Sequence, residues 1–276
     1  MKRTCPAPDF SEPQVMAILN VTPDSFHAGS RTPDAAAVER RIRAAVSEGA
    51  EILDIGGYSS RSGASEVSEA EEWRRVSLGL ETARRVAPGM TVSVDTFRSG
   101  VAARAIGTFG PVIVNDISAG ALDPAMWETV AHFGVPYVAM HMRGTPQTMQ
   151  AHTDYGGDVV SAVEDYFRER TAAMLAAGIR AEQILLDPGF GFAKSVEQNY
   201  ALLAGLHRLC ALGYPVLAGL SRKSMIYKPL GCTPAESLAG TVALGWECLR
   251  QGAKVLRVHD VREAADTIRL FKLFRS

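Results

Sequence analysis

Short uncharged apolar runs that end abruptly in polar side chains recur along the whole chain, and this recurrence limits the fold more than any other feature. VMAILN ends at Asn20, EILDIGG carries Asp54, TVSVDT carries Asp95, PVIVND ends at Asn115 and Asp116, and ILLDPGFGF carries Asp187. PVLAGLSRK then brings Ser221, Arg222 and Lys223, and KVLRVHD brings Arg257 and His259. An uncharged apolar run that passes into Pro, Gly and Asp reads as a buried strand delivering its last residues to a surface. Polar groups therefore collect at the C-terminal end of every strand.

Helical stretches separate these runs. Thr32-Pro33 reads as a cap followed by a first-turn proline, with Val38, Ile42 and Val46 striping the helix behind it. Ser68-x-x-Glu71 and Ser195-x-x-Gln198 read as capping boxes, the second opening one helix with Leu202, Leu206 and Leu209 inside and Gly213 at its end. Further helices start near Arg98 and at Asp123-Pro124, and Val163, Phe167 and Met174 stripe another. Thr233-Pro234-Ala235-Glu236 combines box and proline to open a helix that runs to Gly252. With strands predicted from residue 15 and then over 51–57, 91–96, 111–118, 136–142, 183–187, 215–220 and 255–259, strand and helix alternate strictly. Eight strands and eight helices in that order predict a (βα)8 TIM barrel, since parallel strands need helical crossovers of one hand. The predicted organisation is an N-terminal extension at 1–14 and one α/β barrel domain at 15–276. No G-x-G-x-x-G follows the first strand and there is no Walker loop, which sets aside an open doubly wound sheet.

Chain length agrees, because 276 residues suit one barrel of roughly 250. A net charge of −1 with a pI near 6.6 gives no basic field for nucleic acid or acidic lipid. No segment has the roughly 20 apolar residues that span a membrane. Cys5, Cys210, Cys232 and Cys248 are scattered without C-x-x-C pairing and read as free thiols of a reducing, cytoplasmic compartment. A zinc site is not expected, because no H-E-x-x-H or Cys/His cluster is present.

The strand-end residues form two chemical sets. Asp54, Asp95, Asn115 and Asp187 converge in a barrel as acceptors, which suits a flat heterocycle rich in N–H donors, such as a pterin or a guanine-like ring. Asn20, Ser60, Arg61, Lys223, Arg257 and His259 form a cationic, hydrogen-bonding rim suited to phosphate or diphosphate. Asp116 and Asp123 are read as caps, His141 as structural or site-facing, and Met140, Met142, Phe190 and Phe192 as core.

NVTPDSF at 20–26, SSR at 59–61, SVDT at 93–96, LDPGFGFAK at 186–194, SRK at 221–223 and RVHD at 257–260 together resemble dihydropteroate synthase, over about residues 15–273. The resemblance implies condensation of (7,8-dihydropterin-6-yl)methyl diphosphate with 4-aminobenzoate in a cytoplasmic, Mg²⁺-dependent homodimer that sulfonamides target. It places the pterin on Asp54, Asp95, Asn115, Asp187 and Lys223, and the diphosphate on Asn20, Ser60, Arg61, Arg257 and His259, with Asn20 near Mg²⁺. Catalysis falls to Asn20, Arg61, Lys223, Arg257 and His259. The 4-aminobenzoate is expected against Phe26, Ser62, Phe190 and Ser221, the last at the start of the helix after strand seven. Tyr58, Ser62 and Ala28 depart from the family's commonest pattern, which reads close to ESTRPG in the second loop and has Asp in the first. A methyl-folate methyltransferase on the same barrel shares the acidic floor but has little use for the cationic rim. A catalytically silent pterin-binding homologue is the other alternative, and turnover excludes it.

Overall fold

The computed structural model describes residues 9–22, 34–58 and 66–275. Eight strands form one parallel sheet: β1 (Gln14–Asn20), β2 (Ile52–Gly56), β3 (Thr91–Asp95), β4 (Ile113–Asp116), β5 (Tyr137–Met140), β6 (Ile184–Asp187), β7 (Leu217–Ala218) and β8 (Val255–Val258). β1 pairs with both β2 and β8, and the ladder runs from β2 through to β6. β7 pairs with β8, and the ring closes between β6 and β7 at the Leu186↔Val216 bridge, where Leu186 N donates to Pro215 O at 2.9 Å. β7 is two residues long although 215–220 was predicted, because Pro215 has no N–H for the ladder.

Ten helices lie among the described residues: α1 (Ala35–Glu48), α2 (Glu69–Val86), α3 (Ser99–Phe109), α4 (Met126–Phe133), α5 (Val159–Ala176), α6 (Val196–Ala204), α7 (Leu206–Cys210), α8 (Ser224–Leu230), α9 (Leu238–Arg250) and α10 (Val261–Arg275). Caps follow the sequence logic where the side chain is present. Ser68 and Ser195 accept from Glu71 N and Gln198 N, and Gln198 completes the box on Ser195. α1 is capped by Asp34, which accepts from Ala36 N; Thr32 lies outside the described residues.

Two helix predictions are corrected. The helix expected from Ser195 to Gly213 divides at Gly205, where an added Cβ would stand 2.6 Å from Val160 Cγ1, so the close approach of α5 demands glycine and breaks the rod. At Thr233 only half of the box forms: Thr233 N and Oγ1 donate to Glu236 Oε2 at 2.9 and 2.8 Å, Glu236 N donates to Thr233 O, and α9 begins only at Leu238. Arg222 Nη1 donates to Pro234 O and Ala235 O at 2.9 and 2.7 Å, and those carbonyls are the ones a helix from 234 would use in its first turn.

The core has two parts. Leu53, Ile55, Val92, Val94, Val114 and Ala139 face outward into the helix layer, while Met16, Ile52, Ile113, Val138, Leu185, Leu217 and Val255 fill the inside of the barrel at the N-terminal ends of the strands. Phe10 belongs to that inner cluster, so at least this part of the predicted extension plugs the barrel floor. With its lower half packed solid, the barrel opens only where the strands carry polar residues.

Candidate active site

Inward-facing positions alternate along each strand, so the residue two steps above an inner-layer apolar side chain also points into the barrel. Ile52 is followed in this way by Asp54, and Ile113 by Asn115. Both are buried, as is Asp187, and they meet although their strands are far apart in the chain. Asn115 Nδ2 donates to Asp54 Oδ2 at 3.1 Å. Arg257, from β8, donates through Nε to the same Asp54 oxygen and through Nη2 to Asp95 Oδ2, both at 2.7 Å. The guanidinium thus bridges two carboxylates whose charges would otherwise repel. Asp54 Oδ1 is buried with no hydrogen-bond partner among the described residues, an acceptor directed at whatever donor enters.

Arg257, which the resemblance assigns to the diphosphate, is held against the acidic floor by these two bonds. It still lines the cavity, together with Asp95, Asn20, Lys223, Ser221 and His259. Asp54, Asn115 and Asp187 lie beneath that surface. Gly219 opens the view to Asp187, since an added Cβ there would stand 3.8 Å from Asp187 Oδ2 and 3.9 Å from Arg257 Cβ. The cavity has a volume of about 570 Å³, within the roughly 300–1,000 Å³ typical of a small-ligand site.

Burial sets the ionisation of the floor. It pushes the Asp95 carboxyl up to about 7, with the Arg257 guanidinium opposing, and raises Asp187 against the pull of Lys223. Burial likewise brings the Lys223 ammonium down to about 8, Asp187 opposing. Lys223 Nζ donates to Phe190 O at 2.5 Å and stands 4.7 Å from the centre of the Phe192 ring. At the rim, Ser221 Oγ accepts from His259 N at 3.2 Å and lies 3.1 Å from His259 Nδ1. Ser221 thus fixes the orientation of the His259 ring at the rim. Arg222, at φ 56°, turns its guanidinium onto Asp260 in a two-pronged ion pair at 2.8 and 2.6 Å, holding the turn that faces Ser221 and Lys223 to the cavity.

Phe190 is corrected. Its ring is fully buried in the outer core and only its carbonyl reaches Lys223, whereas Phe192 lines the cavity. Gly191, at φ 80° between them, reverses the chain, a turn that spacing alone does not reveal. Ser221 precedes the helix rather than starting it, because α8 begins at Ser224. Asp116 accepts from Ser118 N, Gly120 N and the Tyr137 hydroxyl, and Asp123 accepts from Ser99 N and Ala125 N, the structural roles expected of both. His141 is buried against Lys194 and does not line the cavity. Phe26, Ala28, Ser60, Arg61 and Ser62 lie outside the described residues. Tyr58, singled out before only as a departure from a pattern, lines the cavity with its ring edge-on to Phe97 at 5.2 Å and its hydroxyl accepting from Gln147 Nε2 at 3.1 Å.

Residues 16–259 match the family model described as pterin binding enzyme. The dihydropteroate synthase of Escherichia coli K12 is 42% identical over 263 residues, covering 95% of this chain and 92% of that one. Among solved structures, the Xanthomonas albilineans dihydropteroate synthase with 4-aminobenzoic acid superposes with a TM-score of 0.87 at 42% identity, covering 97% of this chain and 94% of the other. The Yersinia pestis dihydropteroate synthase in complex with a sulfonamide drug gives 0.88 at 38% identity, covering 97% and 96%.

Proposed function

This chain belongs to the dihydropteroate synthases of the pterin-binding enzyme family, and we propose that its cavity divides the work of that reaction between an acidic floor and a cationic rim. The reaction joins (7,8-dihydropterin-6-yl)methyl diphosphate to 4-aminobenzoate, giving 7,8-dihydropteroate and diphosphate. The observation that carries the assignment of roles is the buried set Asp54, Asn115 and Asp187, with Arg257 bridging Asp54 to the partly exposed Asp95. A pterin ring presents several N–H donors along one edge, and acceptors already desolvated and held in place receive them at little reorganisation cost. Lys223 and Arg257 add donors for the ring's own carbonyl and nitrogen acceptors.

The leaving diphosphate meets the rim. His259 and Asn20 stand at the mouth, and Arg61 is assigned to the same anion. Departing negative charge is stabilised there while the electron-rich dihydropterin supports the positive methylene, so attack by the weakly basic arylamine needs no covalent enzyme intermediate. Phe192 and Ser221 offer the arylamine a ring face and a hydroxyl, in place of the Phe190 wall read from sequence.

Mg²⁺ belongs to the proposal as an ion that arrives with the diphosphate. Among the described residues no group of three or more His, Cys, Asp or Glu is placed to cage a metal. The side-chain oxygen of Asn20, which lines the cavity, suits an ion that takes one or two protein oxygens and completes its shell with water and phosphate. Asn20 would hold it, and it would supply charge neutralisation on the diphosphate. A cytoplasmic homodimer completes the proposal. No described helix is long and apolar enough to cross a membrane, and exposed Leu270, Leu273 and Phe274 on α10 offer apolar surface for self-association, which sedimentation equilibrium tests.

The deciding assay measures diphosphate and dihydropteroate formation with each of the two substrates and Mg²⁺ omitted in turn. Product that requires all three is the expected result, with a sulfonamide competing against 4-aminobenzoate. Pterin binding without turnover would overturn the assignment.

A further inference from the structure

The loop that joins β6 to α6 is tied down at many of its polar backbone atoms. Asp187 Oδ1 takes Gly189 N at 2.8 Å, Asn199 Oδ1 takes Gly191 N at 2.6 Å, and the Tyr155 hydroxyl donates to Ala193 O at 2.9 Å. Three of its residues, Gly189, Gly191 and Ala193, have φ of 67°, 80° and 50°. Glycine adopts that region freely, whereas at Ala193 it persists only where the surroundings over-determine it. At the centre of the loop is Lys194, 4% exposed, with Nζ 3.0 Å from Gly189 O, 3.0 Å from Phe192 O and 2.9 Å from His141 Nδ1. One side chain thus closes both ends of the turn that shows Phe192 to the cavity and aims Phe190 O at Lys223. Lys194 itself does not line the cavity.

We propose that Lys194 is a positioning residue of this enzyme, fixing the Phe192 ring as the wall against which the arylamine substrate stacks; the proposal rests on the synthase reading above. A buried ammonium is a costly way to hold a turn, and His141 explains how the arrangement tolerates it. Burial brings Lys194 down to about 7 and holds His141 well below the usual imidazole range. Charged, Lys194 donates three hydrogens, to the two carbonyls and to His141 Nδ1. Neutral, it donates two to the same carbonyls and accepts from Nδ1–H of the other imidazole tautomer. Both carbonyl ties therefore survive loss of the proton. The charged groups around the pair are Asp187, Lys223 and Arg143, and the rings of Tyr155 and Tyr166 pack on the imidazole at 5.9 and 4.7 Å.

The test is Lys194→Met in the full-length enzyme, which keeps an apolar stem and removes the donor. With the turn loosened, the KM for 4-aminobenzoate should rise about tenfold or more, while kcat per active site and the calorimetric Kd for the pterin diphosphate change by less than about threefold. The pterin side is spared because the charge of Asp187 still attracts the Lys223 ammonium toward the floor. A purely structural lysine predicts a lower melting temperature and a smaller active fraction with both KM values unchanged, and that result overturns the proposal. Should Lys194→Met not fold, Tyr155→Phe removes one tie to Ala193 O without emptying the centre of the loop. It should raise the same KM by about two- to threefold, and an unchanged KM overturns the proposal equally. Wild-type turnover is read in the same assay, so its absence would refute the synthase reading itself, while normal wild-type turnover with unchanged KM values refutes only the role of Lys194.

Discussion

Replacing Arg257 by Met should cost more stability at alkaline pH than at acid pH. In the wild type, Nε and Nη2 each make a charge-assisted bond of 2.7 Å to carboxylates with 0% and 18% side-chain exposure, so the substitution leaves two shielded anions without a counter-ion. Removing one partner of such a buried pair costs about 3–5 kcal/mol. The pH dependence follows from Asp95, which burial already raises to about 7 and which Arg257 pulls down. A group whose folded pKa lies above its unfolded value loses stability as pH rises from the unfolded to the folded pKa, and is flat beyond it. Without Arg257 the folded pKa moves higher, so the variant goes on losing about 1.4 kcal/mol per pH unit above 7 where the wild type has levelled off. Between pH 6 and pH 8.5 the deficit should therefore grow by about 2 kcal/mol. Urea unfolding of both proteins at the two pH values measures it. A deficit that is the same at both would refute the reading that Arg257 is chiefly the counter-ion of the floor, and would return it to the diphosphate rim.

Pterin binding should be bell-shaped in pH. Asp95 must be ionised to accept, which sets an acid limb near 7, and Lys223 must be protonated to donate, which sets an alkaline limb near 8. Calorimetric titration of the wild type and of Lys223→Arg checks this, the variant losing its alkaline limb while keeping the acid one. Ala193→Gly should stabilise the protein by about 0.5 kcal/mol, because relief of a left-handed alanine at φ 50°, about 1–2 kcal/mol, outweighs the extra freedom of glycine in the unfolded chain, about 0.4–1 kcal/mol. Thermal unfolding measures it, and a loss of more than about 1 kcal/mol would show that the alanine methyl is packed to advantage.

Most of the architecture was legible because it is written in local patterns. Apolar runs gave the strands, Ser68 and Ser195 gave their helix starts, and the polar residues at the ends of the runs gave the floor. The misses came from contacts that cross the chain. α9 starts late because Arg222 takes its first carbonyls from another loop, and the helix after Ser195 breaks because α5 leaves no room for a side chain at Gly205. Phe190 and Phe192 are two residues apart and chemically alike, and only the left-handed turn at Gly191 decides which of them lines the cavity.

The sequence by itself determined that polar residues would gather at one end of a parallel sheet, since strand periodicity and one-handed crossovers put every strand's C-terminal end on the same side. The tertiary structure decided which of those residues pair. Arg257 stands 203 and 162 residues from the carboxylates it bridges, and only closure of the ring puts β8 beside β1 and across from β2 and β3. Such a bridge has no local signature, because its energy comes from charges brought together out of water rather than from any preference of neighbouring residues.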